Sequence, residues 1–96
     1  MAFTLTYLIT ETDHFLETMK KLRKKDQPMY ERVKKKMAEI LEIPEHYKPL
    51  SNKLKRYRRA HIGSFVIAFR IIEQEKTVKF VDYDHHDNIY EKSFNE

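Results

Sequence analysis

The chain has 96 residues, enough for one domain and too few for a second core. Hydrophobic residues at 41%, with six Phe and six Tyr, supply one small core and exclude disorder, while the lack of cysteine excludes a disulfide framework and a thiolate metal site. Nineteen Lys and Arg against fifteen Asp and Glu leave a charge of +4, which suits an anionic partner such as nucleic acid or an acidic protein segment.

Phe3, Leu5, Tyr7 and Ile9 alternate with Thr4 and Thr6, the period of a strand with one buried face. The stretch is too short for a membrane span or a signal-peptide core, so the expectation is a cytoplasmic protein with no membrane partner. Thr10 followed by Asp13 reads as a helix start, because a hydroxyl and an acid three residues on satisfy free N–H groups of a first turn. Phe15, Met19 and Leu22 then form a helical stripe that ends in Arg23, Lys24 and Lys25. Asp26 is placed to cap a second helix, with Pro28 in its first turn and an apolar face of Met29, Val33, Met37, Ile40 and Leu41. Two such helices, tightly joined, make an αα-hairpin that needs a surface to lie on.

Pro44 stops the second helix, and a loop runs through Pro49 to Asn52. Three strands follow in series: Leu54 to Ile62, a turn at Gly63-Ser64, Phe65 to Ile72, a polar turn at Glu73 to Lys76, and Val78 to Tyr83. The tail from Asn88 to Phe94 fits a short helix or a strand. This order predicts a single α+β domain over residues 1–96, an antiparallel twisted sheet with the helical hairpin on one face and the other face free.

The charge is unevenly placed. Lys53, Lys55, Arg56, Arg58 and Arg59 fall within seven positions, whereas Asp82 to Glu96 is net acidic. Alternation puts Lys55, Tyr57, Arg59 and His61 on one side of their strand, and with Phe65, Ile67, Phe69 and Ile71 as the core set of the next strand, Arg70 joins them. Cations, a tyrosine and an imidazole on one sheet face make a phosphate-binding surface; scattered on a solvated face they have no role. The run Asp82-Tyr83-Asp84-His85-His86-Asp87-Asn88-Ile89-Tyr90 closes the last strand. It reads as a polar turn or as a place for acid–base chemistry, since imidazole titrates near neutrality. Consecutive residues in extended backbone point apart and no HxH or HxxxH spacing occurs, so no metal and no cofactor is expected. His14 and His46 read as surface residues.

Two stretches carry a resemblance. Arg59-Ala60-His61-Ile62-Gly63-Ser64-Phe65 resembles the R-x-R-x-G-x-Y core of the RelE/ParE toxin superfamily, and Asp84 to Tyr90 resembles its closing H-R-x-x-V-Y. The element order is similar over nearly the whole chain. The resemblance implies a RelE-like fold and the toxin of a type II toxin–antitoxin module, a metal-independent endoribonuclease that cuts messenger RNA at the ribosome by 2′-hydroxyl attack and is held by a cognate antitoxin. It implies catalytic roles for Arg59, His61, His85 and Tyr90, with Lys53, Lys55, Arg56, Tyr57, Arg70 and His86 on the RNA. Other members commonly carry Arg after the G-x-Y tyrosine, where this chain has Val66, and His61 and His86 stand where Arg is common. Arg70 lies about 13 Å along the strand from the missing cation. The same family also admits a non-enzymatic ParE-like gyrase inhibitor or a catalytically degenerate homologue that only binds RNA or its antitoxin. Oligomeric state is not read from the sequence.

Overall fold

The computed structural model describes residues 7–94 and 96. Strand β1 (Leu8–Glu11) leads into helices α1 (Asp13–Lys25) and α2 (Gln27–Glu42); strands β2 (Arg58–Ile62), β3 (Phe65–Ile72) and β4 (Thr77–His85) follow, and helix α3 (His86–Ile89) ends the regular structure. The strands form one sheet in the order β1-β4-β3-β2. The α+β architecture expected from the sequence is present, with β2, β3 and β4 as an antiparallel meander. β1 joins it in parallel, Leu8 opposite Thr77 through Glu11 opposite Phe80. Phe3 and Leu5 of the expected first strand lie outside the described residues. No helix among the described residues is long and apolar enough to cross a membrane.

The helix ends follow local chemistry. Thr12, two residues later than expected, is the cap of α1: its Oγ1 accepts from Phe15 N at 3.0 Å, and its own N–H donates to Phe80 O, so the cap is tied to β4. Thr10 is instead paired in β1 opposite Lys79. Asp26 caps α2 as expected, accepting from Met29 N at 3.1 Å, with Pro28 in the first turn. The helix ends before Pro44, which opens a short 3₁₀ turn.

The meander has two features that alternation alone misses. β2 begins at Arg58, because residues 55–57 turn: Tyr57 N–H donates to Leu54 O and Leu50 N–H to Tyr57 O. In β4 the register slips between Ala68 and Phe69 of β3, with Asp82 opposite Ala68 and Phe80 opposite Phe69. Val81 is therefore an extra residue, a β-bulge, and the inward set changes parity there. Val78 and Phe80 face the helices before the bulge and Tyr83 faces them after it. The hairpin at Gly63-Ser64 has its positive φ, +58°, on glycine alone, as a type II′ turn requires.

Both faces of the sheet are covered. On the hairpin side Phe15, Met19, Val33, Met37 and Ile40 pack on Ala60, Ile62, Ile67, Phe69, Val78, Phe80 and Tyr83, with the Phe15 and Phe80 rings stacked at 5.6 Å. On the other side, expected to be free, Leu50, Leu54, Tyr57 and Ile89 close over Val66, Ala68 and Val81, with Phe94 against them. The loop before β2 and the segment after β4 thus make a second apolar cluster, and what remains open is the rim.

Replacing Thr12 by Ala should lower unfolding free energy by about 1 kcal/mol, while Thr10→Ala should stay within about 0.5 kcal/mol, read from urea midpoints at constant slope. Equal effects would contradict the position of the cap.

Candidate functional site

Arg59 leaves β2 on the face opposite the helical hairpin, since its neighbours Ala60 and Ile62 are buried on the hairpin side. Its guanidinium donates from Nε to His61 Nε2 at 3.3 Å and from Nη1 to the carbonyl of Pro49 at 2.9 Å. A guanidinium N–H can only donate, so His61 Nε2 is the acceptor of this contact. Tyr90 reaches the same place from the other end of the chain: α3 is pinned by fully buried Ile89, and the Arg59 Cζ lies 6.0 Å from the centre of the exposed Tyr90 ring. A cavity of about 260 Å³ beside them is lined by His46, Tyr47, Lys48, Arg59, Ala60 and His61. A cation, two imidazoles and a phenol therefore gather at one rim. His46, read from the sequence as a surface residue, belongs to the cavity; only the fold of the loop before β2 reveals it.

His85 is not part of that cluster. It pairs with Phe65, a residue of the hairpin-side set, and its ring packs on Phe65 at 5.6 Å, whereas Arg59 pairs with Ala68 of the second face. His85, grouped with Arg59 among the implied catalytic residues, falls on the other face because of the bulge at Val81: without the extra residue, strict alternation would have put Lys79, Val81, Tyr83 and His85 all beside Arg59. His85 instead caps α3, its Nδ1 accepting from Asp87 N at 3.2 Å. His86 is exposed at the start of α3, its N–H donating to Ser64 O. Because the chain turns from strand to helix here, His85, His86 and Asp87 each bring a ligand-type atom within 4.8 Å of the others, which extended backbone would have prevented.

The expected RNA-contacting residues divide. Lys53 and Lys55 are exposed. Tyr57 is 4% exposed and belongs to the second apolar cluster, not to an open face. Its hydroxyl meets the Glu96 carboxylate, and so do Arg56 Nη2 at 3.1 Å, Arg70 Nε at 2.6 Å and Lys79 Nζ at 3.2 Å. Burial alone would raise the Glu96 pKa, but hydrogen bonds from Tyr57, Arg70 and Lys79 outweigh it and bring the value down to about 2. Arg70 is thus engaged within the chain. Arg58 sends its guanidinium to the carbonyl of Tyr47 at 2.6 Å.

A further polar group lies where β4 meets the tail. Asp82, whose side chain is 3% exposed, accepts from Lys92 Nζ at 2.7 Å and lies 3.0 Å from His14 Nε2; Asp84 lies 2.6 Å from the same Lys92. Burial lowers the Lys92 pKa less than the two carboxylates raise it, so the ammonium stays charged and fixes the segment after α3.

A family model described as the ParE toxin of the type II toxin–antitoxin system parDE matches residues 9–90. The chain is 49% identical over 75 residues to a Methanocaldococcus jannaschii protein carrying the toxin name RelE4, covering 77% of this chain and 80% of that one. It is 44% identical over 71 residues to an uncharacterized protein of Methanosarcina mazei, 73% and 83% covered. Its fold is similar to the RelBE2 toxin–antitoxin complex of Mycobacterium tuberculosis, at TM-score 0.74 and 21% identity over 85% of this chain and all of that chain. A free mutant of the Escherichia coli toxin RelE gives 0.71 and 19% over 88% of each.

Glu96 has a depressed pKa, so its contribution to docking the tail is fully present above its ordinary value of 4.5 and is lost as pH falls through about 2. The Phe94 ring resonances should keep their docked shifts from pH 7 to pH 5 and move only below about pH 4.5. Release of the ring at pH 5 to 6 would contradict the carboxylate seat.

Proposed function

The chain belongs to the ParE toxin family of type II toxin–antitoxin systems, within the RelE/ParE superfamily, and from that membership we propose that it is a toxin that cleaves messenger RNA at the ribosome without a metal. The observation that carries this reading is the meeting of Arg59, His61 and Tyr90 at one rim, from strand and tail segments that the sequence keeps far apart. Cleavage by the 2′-hydroxyl needs a base for that proton, cationic stabilisation of the crowded phosphorane, and a proton for the departing 5′-oxygen. His61 Nε2 takes the 2′-hydroxyl proton once substrate phosphate draws the guanidinium away from it. Arg59 holds the phosphorane charge, and the exposed Tyr90 ring stacks on a nucleotide. His46, across the cavity, donates to the leaving oxygen. His85, turned to the other face, serves α3 as its cap.

The partners of this reading are messenger RNA in the ribosome and a cognate antitoxin in the cytoplasm. Solved neighbours of the fold include toxin–antitoxin complexes from Mycobacterium tuberculosis and Escherichia coli, which supports an antitoxin for this chain. A second reading, a chain without catalysis that inhibits DNA gyrase or only binds RNA or its antitoxin, is favoured by one observation. Val66, in the position where an Arg is common, is fully buried under the second apolar cluster, so no cation can stand there.

With translating ribosomes and a defined message, the unmutated protein should create new RNA 5′ ends. Arg59→Ala and His61→Ala should each reduce cleavage by about 100-fold or more, and His85→Ala by no more than about threefold. Absence of new ends, together with relaxed DNA accumulating in a gyrase assay, would replace the nuclease by the second reading.

A further inference from the structure

Lys92, Phe94 and Glu96 lie along the second face of the sheet. Lys92 is tied to Asp82 and Asp84, the Phe94 ring lies 4.7 Å from the Tyr57 ring, and the Glu96 carboxylate sits among Arg56, Arg70, Lys79 and the Tyr57 hydroxyl. Each carboxylate oxygen is shared: Oε1 by Arg70 and Lys79, Oε2 by Arg56 and Tyr57. The Arg56 guanidinium also stands 5.1 Å from the centre of the Tyr57 ring. Three cations face one carboxylate, so the seat stays net positive while occupied, and Arg70 and Lys79 are about three-quarters shielded from water that could otherwise screen them.

We propose that Tyr57, Arg56, Arg70 and Lys79 form a subsite for single-stranded nucleic acid, and that Phe94 and Glu96 close it by standing where a base and a phosphate would bind. The proposal rests on the RNA reading above and adds to it a second binding place and its built-in competitor. The chemistry is that of single-strand binding: an aromatic platform accepts any base, and adjacent cations take the backbone oxyanion. The position fits a strand that also reaches Arg59. Ala68 lies opposite Arg59, and Arg70 is two residues farther on the same face of β3, about 7 Å by strand rise. Lys92 can keep its acidic partners while Phe94 and Glu96 swing away, so opening bares the cations without freeing the carboxylates of Asp82 and Asp84. An acidic peptide would satisfy the charge, but the surplus of cations and the continuity with Arg59 favour a polyanion.

The test uses the full chain and a dye-labelled eight-nucleotide single-stranded RNA, read by fluorescence anisotropy at several salt concentrations. Glu96→Gln should bind at least about tenfold tighter than the unmutated protein, with a log affinity that falls more steeply against log salt by about 0.7 per added phosphate contact. Phe94→Ala, which keeps the carboxylate, should tighten binding in the same direction. Arg70→Ala added to Glu96→Gln should undo both gains. Unchanged affinity in Glu96→Gln and Phe94→Ala, or a gain that survives Arg70→Ala, overturns the subsite, as does a Glu96→Gln protein that binds an acidic aromatic peptide and not the RNA. Message cleavage on ribosomes is scored separately. Cleavage present with affinities unchanged sinks the subsite alone, whereas cleavage absent removes the reading beneath it.

Discussion

Strand β3 is sealed on both faces from Val66 to Phe69. Ile67 and Phe69 are fully buried under the helical hairpin, and Val66 and Ala68 are equally buried under the loop before β2 and the segment after β4. Val66, Ile67 and Phe69 each contribute about 1.5–3 kcal/mol when withdrawn from water, and a charge in their place would lose its hydration without a partner. The stretch of β3 from Val66 to Phe69 is therefore wholly apolar. That constraint keeps Val66 apolar and leaves the charged side chains to the rim, the strand ends and the tail.

At the rim the fold uses two devices. The register of β2 sends Arg59 and His61 to the same side, next to the carbonyl of Pro49, and the buried Ile89 turns α3 so that Tyr90 comes back to meet them. The bulge at Val81 separates His85 from this group and gives it to the hairpin side, while leaving Asp82 and Asp84 on the second face to hold Lys92. The result is a sheet whose basic groups are sorted. Arg59 keeps a face toward an open cavity, whereas Arg70 and Lys79 are spent on the chain's own Glu96.

What could be read from residues alone was what local chemistry decides. The Asp26 cap, the extent of β3, the Gly63-Ser64 turn and the apolar stripe of α2 rest on neighbours within a few positions, and all are in the structure. The cap at Thr12 depends on β4, because Thr12 binds Phe80 O, so local pattern placed it two residues early. The alternation from Leu54 to Tyr57 imitates a strand although those residues turn to fill the second cluster. The motif singles out Arg59, His61 and Tyr90 as candidates, but their meeting is tertiary. The face of His85 hinges on one inserted residue that no composition or period announces, and the cavity position of His46 depends on how a loop folds.

The account stands on the proximity of Arg59 to Tyr90. In a nuclear Overhauser spectrum of the protein it predicts cross-peaks between the Arg59 side-chain protons and the Tyr90 ring, with the Arg59 methylenes shifted upfield by the ring current. If Tyr90 instead shows its cross-peaks to Phe65 or His85 and none to Arg59, the rim cluster does not exist and the functional reading built on it is wrong.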